Sequence, residues 1–272
     1  MKKLLSIVSI LSIILVSFST TAFAEDAQFV VNNDYTLEEI ELMQIKNEEA
    51  MNEFLSYKDR LNENAGFSIR AMPVTTSYLI DVPNYKQEKN NWCGPACVRQ
   101  TLAFHAKKSG ISVGNVPSQS SLATSLGIYN SGGASTASMT SLINNYKSTL
   151  GFSGYTYSKC NFNNQSNKIE WLYSMLRTRM KNKNCAPILL FETGTAGGLQ
   201  KYVGYTYRHY NTISGVEETV DANTNSIMGR YIRRVDPHYN SNFMGVHYDP
   251  LQCVAESLAL ADTNGSNYVI IY

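Results

Sequence analysis

The chain is 272 residues long, with 43% hydrophobic residues and a formal net charge of +1. That length holds one sizeable domain plus an extra segment, or two small ones. The near-neutral balance excludes the basic excess of a nucleic-acid binder, and the 18 tyrosines point to half-buried sheet surface and a sticky cleft or exterior.

Residues 1–24 read as a secretory signal: Lys2 and Lys3, an apolar run over 4–18, then Ala22-Phe23-Ala24 as a small-x-small cleavage site. The run is short for a membrane span, and no other stretch is apolar enough to cross a bilayer. The expected protein is secreted, extracellular or associated with the cell wall. Residues 25–75 form an N-terminal helical segment. Thr36 and Glu39 make a capping-box pattern. Ile40, Met43, Met51, Phe54 and Leu61 mark one helical face. Residues 64–76 read as a linker. The segment is either a propeptide, with its helix over the cleft and the linker cut on activation, or a helical appendage that stays.

Residues 76–272 are the main domain. The pattern predicts a strand over 78–82 and a polar loop to Cys93. Helices follow over 96–108, 118–125, 135–146 and 168–181, with a short strand over 155–158 between the last two. The character then changes. Strands are predicted over 187–191, 202–207, 210–216 and 231–235, the last two joined by a polar connection over 217–229. His247 falls in a strand leading to a helix over 250–260, and a strand over 268–272 closes the chain. Helices first and an antiparallel sheet second is an α+β order.

Residues 87–98 read QEKNNWCGPACV. They place Cys93 where a loop turns into a helix, at the positive end of the helix dipole, which favours the thiolate. Pro95 suits a first helical turn. Gln87 can set its side-chain amide beside the Cys93 N–H, and two such donors make an oxyanion hole for acyl transfer. The chain has five cysteines, and an odd count leaves at least one thiol unpaired. Cys93 is the candidate; Cys97, Cys160, Cys185 and Cys253 either pair, in one of three ways, or are simply buried. Cys93 and Cys97 with a histidine lack the second close-spaced ligand pair of a zinc site. Trp92 is read as packing beside Cys93.

This strip resembles the active-site strip of papain-fold cysteine peptidases. In particular it resembles the bacteriocin-leader-peptidase-like branch, where a glutamine and then a Cys-Gly-Pro run with a second cysteine four on begin the domain. Downstream, His209-Tyr210 followed by Ile213-Ser214-Gly215 resembles the segment that carries the family's base. Val235-Asp236-Pro237 resembles the Asp-Pro segment that orients it. Arg208, Asn211 and Thr212 depart from the family pattern, and the 217–229 connection is longer than typical.

The resemblance covers about 78–272 and implies a papain-like fold. In it the nucleophile helix lies on one side, the sheet with the base on the other, and the cleft between. It implies Cys93 as nucleophile, His209 as base, Asp236 as orienter and Gln87 as oxyanion donor, acting on a peptide or protein with no metal or organic cofactor. His105 lies twelve residues past Cys93, about 18 Å along a helix and out of reach; His238 and His247 are the competitors for the base. The alternative is a catalytically inactive secreted binding or adhesion module on the same scaffold.

Overall fold

The computed structural model describes residues 35–63, 72–128, 132–265 and 267–272. The signal sequence expected at 1–24 and most of the linker expected at 64–76 lie outside the described residues. Helix α1 (Leu37–Glu63) opens on a reciprocal capping box: Thr36 N–H donates to Glu39 Oε2 at 2.9 Å, and Glu39 N–H to Thr36 Oγ1 at 3.2 Å. Its buried face runs through Met43, Lys46 and Ala50. Ile40 is half-buried, while the side chains of Met51, Phe54 and Leu61 lie outside the described set.

The other helices are α2 (Cys93–Lys108), α3 (Gln119–Ser125), α4 (Thr136–Asn145), α5 (Lys168–Asn182) and α6 (Leu251–Ala261). The strands are β1 (Val74–Leu79), β2 (Lys159–Cys160), β3 (Ile188–Glu192), β4 (Arg208–Val220), β5 (Ile227–Asp236), β6 (Gly245–Pro250) and β7 (Ile270–Ile271). They form one antiparallel sheet in the order β2-β7-β3-β4-β5-β6. Strand β4 is its spine. On one side β3 pairs with residues 208–212 and β1 with residues 215–220; β5 runs along the other side. Five described helices thus precede the main sheet strands, which is the α+β order that the sequence pattern predicts.

Three stretches differ from the sequence prediction. The short strand expected at 155–158 is not strand there; pairing with β7 forms only at the next two residues, Lys159–Cys160. Residues 202–207 alternate like a strand, but the chain makes a 3-10 turn at Gln200–Tyr202, and Gly204 adopts φ +81, in the left-handed region and not the extended one. Conversely, most of the polar 217–229 connection is strand, and only 221–226 turns, with Asn225 at φ +53. The polar residues hide this because one is inward: Glu218 is buried and paired with Arg230, which also bonds Glu170 at 2.7 Å.

Helix α2 is buried on most sides, as a central helix must be. Three side-chain bonds orient it. Thr212 Oγ1 donates to Gln100 Oε1 at 2.7 Å, Gln100 Nε2 to the Tyr85 carbonyl at 3.3 Å, and Thr101 Oγ1 to the Ala186 carbonyl at 3.1 Å. Helix α1 packs against α5 on another part of the molecule. Arg177 Nη1 pairs with Glu53 Oε1 at 2.8 Å, Arg179 Nη1 with Glu49 Oε2 at 3.0 Å, and Trp171 Nε1 donates to Asn47 Oδ1 at 3.0 Å. Lys46, buried, donates to the Tyr272 carbonyl between the rings of Tyr155 and Tyr272.

A chain lacking residues 25–63 should therefore lose stability. Exposing the partners of Met43, Ala50 and the Lys46 stem forfeits about 3 kcal/mol of burial or more, a fall in Tm of roughly 6–12 °C for a domain of this size. An unchanged calorimetric Tm would mean that α1 is only an appendage.

Candidate active site

The loop before α2 is fixed at both ends. Gln87 N–H donates to the Pro237 carbonyl at 2.6 Å, which ties the loop to the segment just after β5, and Trp92 N–H donates to the Lys89 carbonyl at 3.1 Å. Trp92 is buried with Ala123 and Ile128. Helix α2 starts at Cys93 with no side-chain cap and no acidic residue in its first turn, so its positive end stays free for a negative group. Gly94 lets the opposite wall close in: a Cβ there would stand 2.6 Å from Ala134 Cβ.

Strand alternation then sets the base and its partners. His209 and Asn211 share one face of β4; Arg234 and Asp236 share one face of β5. The Thr212–Val235 pairing, continued by one step, sets Asp236 opposite Asn211 and diagonal to His209. His209 Nε2 lies 2.8 Å from Asp236 Oδ1, which leaves Nδ1 free for the thiol of Cys93, which lines the same groove and stands close enough to His209 to shift its titration. The three side chains assigned from sequence as nucleophile, base and orienter therefore meet in one place.

Asp236 is fully buried and accepts four hydrogen bonds. Oδ1 takes His209 Nε2 and the His238 N–H at 2.9 Å; Oδ2 takes the Tyr202 hydroxyl at 2.8 Å and Arg234 Nη1 at 2.7 Å. Burial alone would raise this carboxyl. The His209 charge and hydrogen bond, the Arg234 charge and the Tyr202 hydroxyl instead hold it well below the usual carboxylate range. Burial would lower His209, but the charge and hydrogen bond of Asp236, and then the Cys93 thiol, raise it to about 9. Burial would also raise Cys93. The hydrogen bond and charge of His209, followed by the N–H groups of Tyr210 and Gly94, bring it below its ordinary value. The pair therefore favours thiolate and imidazolium over thiol and imidazole. Cys97, one turn on and fully buried, is pushed well up by burial and stays a thiol.

Gln87 sits differently. Its side chain is buried beneath the loop, with Nε2 donating to the Lys89 and Asn90 carbonyls at 2.9 Å each, and Oε1 has no partner. Two loop carbonyls outbid open space for a buried amide N–H, so in this arrangement the side chain braces the loop and is not among the residues lining the groove.

Of the other histidines, His105 is buried, bonded through Nε2 to the Tyr157 hydroxyl at 2.7 Å and stacked on Phe152. His247 Nε2 bonds the Phe243 carbonyl at 2.6 Å. His238 does stand beside His209, ring centroids 5.2 Å apart, but its Nδ1 accepts the Asn240 N–H at 3.0 Å and only its backbone reaches Asp236. Arg208 turns aside to Glu192 at 3.5 Å and the Ala261 carbonyl at 3.0 Å. All five cysteines are free thiols, with Cys97, Cys160 and Cys185 buried and Cys93 and Cys253 partly exposed.

Cys93 and His209 open on a groove of about 730 Å³, walled by the 132–137 segment and by Tyr207, Tyr239 and Tyr268. Among the described residues no three His, Cys, Asp or Glu side chains are grouped to hold a metal ion, and no helix is long and apolar enough to cross a membrane.

The sequence prediction missed Tyr202, Asn211, Arg234 and Asp249. Arg234 was findable, since it lies two residues before Asp236 on a strand and so shares its face. Tyr202 carries no local signal; a turn brings it there.

A family model, the Peptidase_C39 like family, matches residues 79–255, a span that contains all four side chains assigned from sequence. No curated protein and no solved structure matches the chain.

Proposed function

The chain belongs to this C39-like peptidase family and has its papain-like fold, and from that premise we propose that it hydrolyses peptide bonds with Cys93, His209 and Asp236 as the catalytic triad. The observation that carries the reading is the chain Cys93–His209–Asp236, whose first two members open on a groove of about 730 Å³.

The Cys93 thiolate attacks the substrate carbonyl carbon, and the carbonyl electron pair moves to oxygen. The Cys93 N–H at the head of α2 stabilises that oxyanion. Gln87 supplies the second donor when its amide leaves the Lys89 and Asn90 carbonyls for the stronger charge. His209 then protonates the leaving amine, which frees the acyl group as a thioester on Cys93. Water, deprotonated by His209, hydrolyses it and restores the thiol. Asp236 holds the His209 tautomer throughout. The chemistry calls for no metal or organic cofactor.

The test is thiol labelling together with turnover on an unstructured protein substrate under reducing conditions. A limiting alkylator should modify Cys93 ahead of Cys97, Cys160 and Cys185, and activity should fall in step with that one adduct. Uniform slow labelling would remove the thiolate, and the mechanism with it. For Gln87→Ala, kcat should fall about 10²-fold, the usual loss for one oxyanion donor; an unchanged kcat would strike Gln87 from the mechanism. The leader at 1–24 adds the proposal that the enzyme works outside the cell, with peptide or protein substrate there. Mass spectrometry of exported protein tests this by its first residue; an intact Met1 would overturn it.

A further inference from the structure

We propose that Arg234 and Asp249 are positioning residues for the triad: a buried chain of alternating charge, His209–Asp236–Arg234–Asp249, fixes the pH window in which Cys93 is a reactive thiolate. The proposal rests on the reading of Cys93 and His209 as nucleophile and base.

Arg234 and Asp236 are both fully enclosed, and Asp249 nearly so. Arg234 spans the two acids, giving Nη1 to Asp236 Oδ2 at 2.7 Å and Nε to Asp249 Oδ2 at 2.6 Å; Nη1 also reaches Asn211 Oδ1 at 2.6 Å. Asp249 is held from behind by the Gln200 N–H on Oδ1 at 3.2 Å. Burying three charges costs more solvation than a stable core needs, and apolar residues of similar volume often pack as well. Here the charges end on the carboxylate that faces His209.

The electrostatic consequence follows from position. Asp236 lies between two cations. The Arg234 charge draws on the same carboxylate that supports the imidazolium, and Asp249 offsets part of the Arg234 charge. The other titratable groups facing this chain are Cys93 and Cys97 from α2, Tyr202 from the 3-10 turn, His238 after β5, and His247 from β6. None of them bridges both acids. Removing the Arg234 charge makes the site more negative, which disfavours the thiolate and favours the imidazolium, so both limits of the reactive window move to higher pH. Removing the Asp249 charge moves both to lower pH. A merely structural pair has no reason to produce shifts of opposite sign.

The experiment measures the rate of Cys93 alkylation by iodoacetamide against pH, by mass spectrometry of the full chain, alongside kcat/KM on a peptide. In Arg234→Met the acid midpoint of alkylation should rise by roughly one pH unit, and in Asp249→Asn it should fall by roughly half a unit, as expected for a charge that distance away in a partly screened interior. The alkaline limit of kcat/KM should move the same way in each. Asp249→Asn keeps the side-chain shape, and it decides alone if Arg234→Met does not fold. Unmoved midpoints, or shifts of the same sign in both variants, would overturn the proposal. A wild-type midpoint at that of a free thiol, about 8.5, would instead overturn the underlying reading of Cys93 and His209.

Discussion

Replacing Cys93 by alanine should abolish peptide hydrolysis, with kcat/KM lower by about 10⁵-fold or more, while the protein stays folded. The large kinetic effect follows from covalent catalysis: without sulfur there is no thioester, and only water attack inside the groove remains. The small structural effect follows from where the atom sits. Cys93 is partly exposed at the head of α2, and that helix is held by Gln100, Thr101 and the packing of its apolar residues. Tm should stay within about 2 °C, in line with a substitution outside the core. Cys93→Ser should be nearly as inactive, because His209, although raised to about 9, is too weak a base to hold a serine alkoxide. Hydrolysis at the wild-type rate by either variant would rule out Cys93 as the nucleophile.

Replacing Asp236 should damage both activity and stability, and the two substitutions that test it differ for a physical reason. The carboxylate accepts from four donors and donates to none. An asparagine must turn its NH₂ toward either His209 and the His238 N–H or Tyr202 and Arg234, so donor meets donor at one end. In Asp236→Asn, kcat should fall by about 10⁴-fold, the scale for losing the orienting charge of a triad. Both variants leave the buried Arg234 without this acid, a cost of about 3–5 kcal/mol; Asp236→Ala also removes every acceptor atom from the four donors, so it should unfold at lower denaturant concentration than Asp236→Asn. Tyr202→Phe removes one donor of the four and should cost only about 1 kcal/mol of stability. Equal activity in wild type and Asp236→Asn would mean that His209 needs no carboxylate partner.

The sequence by itself determined the elements with strong local signals. Loop-to-helix chemistry placed Cys93, because glycine, proline and an uncapped helix start act over a few residues. The capping box at Thr36 and Glu39 forms as the pattern predicts, since both partners lie within one turn. The family resemblance singled out His209 and Asp236, and the structure brings them within 2.8 Å. Alternation alone misread 202–207, where one glycine at positive φ outweighs four tyrosine and threonine side chains. It also missed the ends of β4 and β5, where the inward residue is a charged one paired across the hairpin.

Tertiary structure decided what depends on groups far apart in the chain. That His209 stands beside Asp236 depends on the β4–β5 register: His238 and His247 each have an acid two residues away in sequence, whereas His209 meets its acid only across the sheet. The position of α1 on α5 was set by ion pairs with residues more than 120 positions away. The Arg234–Asp249 link could not be read from a sequence of polar and apolar letters, since a buried charge looks like an exposed one until its partner's location is known. Local rules fix which atoms a segment presents; desolvation and charge pairing, which fix what those atoms do, depend on neighbours that only the folded chain supplies.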